Sequence, residues 1–514
     1  MSSKKANSAA LKTTLAVTLV IFLSKAAGFI RDIISAGYFA TGIERDAYAS
    51  AYSLFYLPVL LFSSCITSTI VPLYVNARHG RSVREANRFA SNSINIFAIV
   101  SLLVSLLMMA LAGPLVSVVY GGFSPDKQLL TAELTRIMLP SLAFVVVSIV
   151  MSSVLNATQH FLAAQLTGFP LTVGVIVATV FFSQYGIRAV SWGVFAAGIM
   201  QMLILLPALG KSMRYTFRLN IHDKRFQKMM VLAVPAMISM AVNELNHMID
   251  KSLASYLNSG DISAMDYAYR LITFATGVLA VPITTVMFSR VSICEAEGNR
   301  KGVLDILTQS AEVLTMILLP VTMVGCVLSE DIIKLAYMHG KFGMDSVQVT
   351  SGVFLFYLVG ILGFGLRDVY NRAFHALQDT KTPMRVAYIT VALNVVLDVL
   401  MSKVMGANGL ALATSVSCAI GAVLLVERLH KKLGKIGMRA TGRELIKIGF
   451  ASLLCLACAM ALNLLIPLAL GKLWVFLRLL LITGTALIVY LAVLIALRAR
   501  QLKFLGGLVR RRRA

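Results

Sequence analysis

Fourteen stretches of about 20 mostly apolar residues, each long enough to cross the hydrocarbon core of a bilayer, run the length of this 514-residue chain. Their centres fall near residues 25, 61, 104, 144, 173, 199, 241, 276, 315, 360, 393, 418, 455 and 485. The pattern predicts an all-α polytopic membrane protein of about 14 transmembrane helices. Several stretches run well past 20 residues, which implies tilt or extension beyond the membrane. Composition agrees: 58% of residues are hydrophobic and 14% charged, against roughly a quarter charged in soluble chains.

The formal charge of +24 would point to nucleic acid in a soluble protein. Here the basic residues fall in short clusters between apolar runs, so no nucleic-acid partner is expected. Alternate connections carry Arg78, Arg81, Arg84 and Arg88; Lys211, Arg214, Arg218, Lys224, Arg225 and Lys228; Arg300 and Lys301; Lys381 and Arg385; and Arg428, Lys431, Lys432, Lys435, Arg439 and Arg443. With the Lys4, Lys5 and Lys12 start and the Arg510 to Arg513 tail, these belong on the cytoplasmic side by the positive-inside rule. Both termini are therefore expected in the cytoplasm. The run from Thr13 to Ser24 resembles a signal peptide but continues past Lys25 toward Tyr38 without a cleavage site, so it is kept as helix one. The six cysteines are scattered, mostly in apolar stretches, and indicate neither a disulfide framework nor a zinc site.

A weak repeat runs through the chain. Ala51-Tyr52-x-Leu54 matches Ala268-Tyr269-x-Leu271, Ile66-Thr67 falls on Ile283-Thr284 in the same register, and Gly186-Ile187 resembles Gly409-Leu410. Duplicated halves are a transporter signature, with the substrate path between them near mid-membrane. The expected organisation is an N-lobe of helices one to six (residues 1–210), a C-lobe of helices seven to twelve (211–430), and helices thirteen and fourteen with a basic tail (431–514).

An ionisable side chain at the bilayer centre costs roughly 2.5 to 3.5 kcal/mol on insertion scales, so it faces a cavity or a partner. Helix one holds Lys25, Arg31 and Asp32; helix seven Glu244, His247, Asp250 and Lys251; helix eight Asp266 and Arg270; helix ten Arg367, Asp368 and Arg372; helix eleven Asp398. Snorkelling or internal pairing accounts equally well for Lys25, Lys251 and Asp368. Arg31 and Arg270 sit in equivalent early helices of the two lobes, and two guanidinium groups lining one cleft suit a pyrophosphate, which arginine grips with two parallel bonds. Asp32 holds Arg31 in place. Asn394 and Asp398 share one face of helix eleven. With Thr414 of helix twelve and Asp250 they offer hard oxygens for Na⁺ or a proton relay; interhelical hydrogen bonding is the alternative reading of Asn394 and Thr414. No phosphate-binding GxxxxGK[ST] run and no nucleophile motif occurs, so an ATPase or other enzyme is not expected. No cofactor is expected, and energy must come from an ion gradient or the membrane potential.

At Gly28-Phe29-Ile30-Arg31-Asp32 and from Arg372 through Ala373-Phe374-His375-Ala376-Leu377-Gln378-Asp379-Thr380-Lys381-Thr382 to Pro383, the chain closely resembles the MurJ (MviN) family of lipid II flippases. Ala268-Tyr269-Arg270-Leu271 and Val71-Pro72 are similar to the family as well. The resemblance implies a multidrug/oligosaccharidyl-lipid/polysaccharide exporter fold with two six-helix lobes around a central cavity, plus two C-terminal helices bordering a lipid-tail groove. It implies a multi-pass protein of the bacterial inner membrane that carries lipid II, undecaprenyl-pyrophosphoryl disaccharide-pentapeptide, to the outer leaflet. Cell-wall synthesis and division proteins are its implied neighbours. By motif, the family's cavity arginines fall on Arg31 and Arg270, its acidic neighbour on Asp32, and the acidic residue of its first periplasmic loop on Asp46. A Na⁺ site of some members falls on Asp250, Asn394, Asp398 and Thr414.

One departure stands out. The family's helix-two run Leu-Pro-Asn-Leu-Leu-Arg reads here Leu57-Pro58-Val59-Leu60-Leu61-Phe62, so the third cavity arginine is missing. Lys25 or Arg367 is then the alternative source of charge. A flippase for another undecaprenyl-pyrophosphate-linked glycan, of the O-antigen or capsule type, is the nearest rival. A multidrug/cation antiporter fits less well because a cationic drug would meet a basic pair, and a non-transporting scaffold would have no use for charges facing a cavity.

Overall fold

Each apolar run closes its own backbone hydrogen bonds as a helix, the form that leaves no amide unsatisfied in lipid. The computed structural model describes residues 2–80, 82–434, 438–467 and 471–501, which contain helices and no strand. Of the expected inward-facing clusters, Arg81, Lys435 and Arg510 to Arg513 lie outside the described residues, as do the side chains of Lys4, Lys5, Lys12 and Arg439. The helices, in order, are α1 (Ser2–Phe39), α2 (Ile43–Gly80), α3 (Val83–Ala110), α4 (Ala112–Val119), α5 (Pro125–Met138), α6 (Ser141–Ala157) and α7 (Phe161–Gln165). There follow α8 (Phe169–Phe181), α9 (Ile187–Leu203), α10 (Leu206–Ser212), α11 (Lys224–Ala254), α12 (Asp261–Leu279), α13 (Val281–Ala296) and α14 (Arg300–Val327). The last seven are α15 (Ser329–Tyr337), α16 (Met344–Val359), α17 (Ile361–Ala376), α18 (Lys381–Met405), α19 (Ala407–Leu433), α20 (Met438–Leu465) and α21 (Lys472–Ala496).

Among the described residues, nine spans are long and apolar enough to cross a membrane unaided, and three bent pairs bring the number to twelve. The bent pairs are α5/α6 (44°), α12/α13 (47°) and α16/α17 (45°). These twelve correspond to predicted helices two to six and eight to fourteen. Predicted helices one and seven fall on α1 and α11, parts of which carry side chains outside the described residues; the twelve spans are consistent with an expectation of about fourteen.

Contacts divide the chain into two compact units, Met1–Ser263 and Ala264–Ala514. In the first, a continuous core joins α2, α3, α5, α6 and α9 through Ile66, Phe89, Leu134, Leu142, Val150 and Val190. Helices α8 and α9 meet glycine to glycine: a Cβ on Gly174 would lie 2.6 Å from the Gly193 carbonyl oxygen, and the reverse distance is the same. Small residues permit this approach where lipid supplies no hydrophobic drive between helices. Helix α11 also belongs here, packed on α2, with Lys251 Nζ donating to Ser53 Oγ (2.8 Å) and to the Ala49 carbonyl (3.3 Å).

The repeat seen in sequence is written into local geometry. Tyr120 OH donates to the Ser50 carbonyl at 3.2 Å, and 217 residues further along Tyr337 OH donates to the Tyr267 carbonyl at 3.2 Å. The same offset relates Ala51 to Ala268. Gln159 and Gln378 both take positive φ, at 65° and 55°, just beyond α6 and α17. Gly186 (φ 65°) turns the chain into α9, and its counterpart before α19 is Gly406 (φ 59°), three residues earlier than the expected Gly409. Both positions demand a left-handed turn that glycine adopts without steric cost.

In the second unit the terminal hairpin α20/α21 is fastened to α14 and α15 at three levels. Arg478 pairs with Asp331 and donates through Nη2 to Asn463 Oδ1 (2.6 Å), with both charged side chains 3% exposed. Tyr490 OH donates to the Met316 carbonyl (2.8 Å). Glu312, 1% exposed at its side chain, accepts from Gln501 Nε2 (2.9 Å) and Arg500 Nη2 (3.1 Å). Removing one partner of a buried pair leaves the other charge uncompensated, at a cost of about 3–5 kcal/mol. Arg478→Met is therefore expected to lower the thermal midpoint of the detergent-purified protein sharply, whereas the double variant Arg478→Met/Asp331→Leu recovers most of the loss. Equal destabilisation by single and double variants would contradict this account of the pair.

Candidate functional site

Helix α1 carries Arg31 toward its C-terminal end and packs through α7 and α8 into the first unit. The Arg31 side chain is 13% exposed, and its Nε and Nη2 donate to Asp32 Oδ1 at 3.0 and 2.8 Å. Adjacent residues on a helix point about 100° apart, so this pair bends both side chains toward one position and fixes the guanidinium plane. Asp32 is thus the hydrogen-bond partner of Arg31. Lys25, nearly two turns earlier, is exposed.

Asp46 is placed differently from a ligand-facing group. It is 0% exposed, and its carboxylate accepts from Lys127 Nζ (2.8 Å), Gly260 N (2.7 Å), Ser263 N (2.8 Å) and Ser263 Oγ (2.7 Å). Two of these donors are backbone amides at the start of α12, where a negative charge offsets the helix dipole. All four of these donors come from the protein itself, so in this structure Asp46 sets the beginning of α12. Lys127 completes this cluster over the ring of Phe123 at 4.2 Å. Sequence reasoning misses it, because a lone lysine after Pro125-Asp126 reads as an ordinary loop charge.

Arg270 lies in the middle of α12, half-buried, one turn after Asp266. Arg367, on α17, is half-buried and its Nη1 donates to Cys418 Sγ of α19 (3.2 Å). Arg372 and Asp368 pair along α17 at 3.0 Å, the internal ion pair that is one reading of Asp368. Where the family has its helix-two arginine, Phe62 packs edge-on against Phe97 (centroids 6.0 Å apart, 89°), and Phe97 meets Phe226 in turn. An aromatic contact fills that position.

The hard-oxygen set divides between the units. Asp250, 2% exposed, is on α11 with His247 Nδ1 3.9 Å from its Oδ2. Asn394 and Asp398, 3% and 0% exposed, are joined on α18 by Asn394 Nδ2 donating to Asp398 Oδ2 (2.6 Å). Helices α18 and α19 form a hairpin about Gly406, with Asp398 eight residues before it and Thr414 eight after. Both therefore lie at about 12 Å from the turn. Thr414 is buried, and its hydroxyl donates back to the Leu410 carbonyl (3.0 Å). Among the described residues no three His, Cys, Asp or Glu side chains gather as around a transition metal; a carboxylate, an amide and a hydroxyl are oxygen donors of the kind Na⁺ accepts.

The long motif from Arg372 to Pro383 forms the turn between α17 and α18. Asp379 accepts from Thr382 N (3.1 Å), Thr382 Oγ1 (2.9 Å) and Lys432 Nζ (2.9 Å). Partial burial opposes ionisation of Asp379, but these donors outweigh it and hold the carboxyl down at about 2. A folded value below the ordinary one means that its contribution is present above about pH 4 and is lost as pH falls toward 2.

The chain matches the profile of the family described as lipid II flippase MurJ over residues 35–485. A probable lipid II flippase MurJ of Thermotoga maritima is 30% identical over 434 residues, covering 83% of this chain and 88% of that protein. The protein of the same description from Buchnera aphidicola is 26% identical over 430 residues, covering 82% and 84%. A solved structure described as lipid II flippase MurJ in an inward closed conformation matches with a TM-score of 0.81 at 26% identity, covering 94% of this chain and 99% of that one. An inward-facing multidrug resistance MATE transporter matches with a TM-score of 0.68 at 12% identity, covering 84% and 99%, and so shares the fold. On the extent of these matches, with the arginine-bearing α1 and α12 and the twelve spans of the described residues, the chain belongs to the MurJ family of lipid II flippases.

Proposed function

We propose that this chain flips lipid II from the cytoplasmic to the outer leaflet of the bacterial inner membrane by alternating access, with both termini in the cytoplasm. Arg31 carries the reading. It is a mostly buried guanidinium in a membrane-spanning helix, oriented by Asp32 through Nε and Nη2. That arrangement presents Nη1 to a phosphate oxygen, and Arg270 supplies the second cation from α12. A pyrophosphate is the part of lipid II that calls for two such groups. The prenyl chain stays in lipid while the head group crosses, so the protein has only the polar part to shield.

A cationic drug, by contrast, would meet repulsion at both arginines. Phe62 removes one charge from the family's usual complement, and the remaining pair bears the whole of the pyrophosphate clamp. Cell-wall synthases and division proteins are the neighbours that would supply and consume the cargo. An inside-negative potential is worth about 2.3 kcal/mol per charge per 100 mV, enough to favour outward movement of a net anion or inward return of a cation-loaded carrier. Asp250, Asn394, Asp398 and Thr414 would hold the Na⁺ that resets the carrier, or relay protons in its place.

In cells depleted of their own flippase, wild-type protein is expected to restore growth, and Arg31→Ala or Arg270→Ala to abolish rescue while still reaching the membrane. Arg31→Lys keeps the charge but loses the planar fork, and rescues only in part. Normal growth with both alanine variants would rule out the clamp. For coupling, ligand binding to the folded state stabilises it by about 2.7 kcal/mol at a hundredfold excess over Kd. The thermal midpoint of the purified protein is therefore expected to rise when Na⁺ replaces choline, and the rise to vanish in Asp398→Asn. A midpoint indifferent to Na⁺ but dependent on pH would assign the site to protons.

A further inference from the structure

Between α10 and α11, residues 213–223 form no helix, yet their backbone is closely held. The side chains of α3 act as a neighbouring strand would. Asn92 takes both backbone groups of Asn220, accepting from its N–H (2.7 Å) and donating to its carbonyl (2.8 Å). Asn95 donates to the Arg218 carbonyl (2.8 Å) and accepts from Tyr215 OH (2.6 Å), while Ser91 Oγ accepts from Thr216 N (3.1 Å). Beyond the strap, Arg225 pairs with Glu85 of α3. An extended segment this well satisfied tolerates a poorly hydrated setting.

Its outer edge is apolar. Tyr215, Phe217, Leu219 and Ile221 alternate along the strap and are 52%, 82%, 51% and 61% exposed. In an extended chain residues two apart share one side. The depth of this edge can be read from α3. Past Val83 in its first turn, the outward-facing apolar residues of α3 begin at Ile99 and Val100, and Asn95, which binds Tyr215, lies one turn before them. The strap therefore runs at the level of the lipid head groups.

Its charge is one-sided. From residue 211 to 228 there are six basic residues and a single acid, Asp223, which is engaged in accepting from Arg225 N at the start of α11. Lys211, Arg214, Lys224 and Lys228 are exposed. An aromatic and aliphatic row flanked by exposed lysine and arginine at this depth complements an anionic lipid surface.

We propose that the 213–223 strap is an interfacial anchor that inserts Phe217, Leu219 and Ile221 into the cytoplasmic leaflet and binds the phosphates of anionic phospholipids through Lys211, Arg214 and Lys224. This role is separate from cargo transport: it makes the connection between helices six and seven a reader of leaflet composition. Each basic residue near an anionic surface is worth about fivefold in lipid partition.

The test uses full-length protein with Trp192→Phe, Trp474→Phe and Phe217→Trp, reconstituted in vesicles of equal phosphatidylglycerol and phosphatidylcholine, with bromine on the acyl chains of one or the other. The indole introduced at position 217 is expected to emit to the blue of a water-exposed one and to be quenched roughly threefold more by brominated phosphatidylglycerol than by brominated phosphatidylcholine. Lys211→Gln/Arg214→Gln should remove that preference. Ile221→Trp, on the same edge, gives a second reporter with the same expectation. Emission typical of water with no quenching overturns the anchor, and so does a blue-shifted signal that neither lipid quenches, which would mean a protein partner covers the strap. Equal quenching by both lipids overturns the anionic preference.

Discussion

A carboxylate buried in a membrane protein persists only where its neighbours replace the hydration it has lost, and Asp46 shows how far this chain goes to meet that condition. One lysine, two backbone amides and a serine hydroxyl converge on it. The consequence is structural before it is functional. The carboxylate fixes the first turn of α12. The same condition fastens the terminal hairpin, where Asp331 meets Arg478 and Glu312 meets Arg500 and Gln501. It also joins Asn394 to Asp398 on α18. Arg31 donates to one oxygen of its neighbour Asp32 through Nε and Nη2, an arrangement that the proposed function uses to orient the guanidinium toward a phosphate.

Much of this is legible in the order of residues. Apolar runs of the right length mark every span, because a bilayer imposes its thickness on any helix that crosses it. The repeat is legible too, though only faintly, since two halves under different functional demands keep backbone geometry longer than side chains. Tyr120 and Tyr337 still make the same bond, while the sequence match of Gly186 falls one turn out of register because a glycine pair is common and a positive φ is not written in the letters. The Arg31–Asp32 pair follows from adjacency.

What is not legible depends on packing between distant segments. Asp46 reads as a loop acid available to cargo; its saturation comes from Lys127, Gly260 and Ser263, none of which is near it in sequence. Arg478 escapes a reading of the sequence although it interrupts an otherwise apolar 25-residue helix, a position that itself signals a buried partner. Asp331 escapes it because it sits just beyond a span, where a charge ordinarily reaches water; Glu312 lies in the middle of the 28-residue α14, a position that, like that of Arg478, itself signals a buried partner. The strap of residues 213–223 reads as an inward-facing basic loop; that its backbone is stitched to α3 by asparagines is a tertiary fact. Bends at α5/α6, α12/α13 and α16/α17 are likewise invisible to a hydropathy window, which sums over a break as readily as over a straight helix.

On the proposed reading, the buried ion pairs serve the architecture of the protein and Arg31 and Arg270 serve its cargo. The most direct measurement is transbilayer movement itself, in proteoliposomes containing lipid II with a reducible fluorophore on its head group and a membrane-impermeant reductant outside. With wild-type protein, the inner-leaflet pool is expected to lose fluorescence as it reaches the outer leaflet; with Arg31→Ala/Arg270→Ala it stays protected. Persistent protection with folded wild-type protein, or undiminished exposure with the double variant, would contradict the assignment of lipid II transport to the arginine pair.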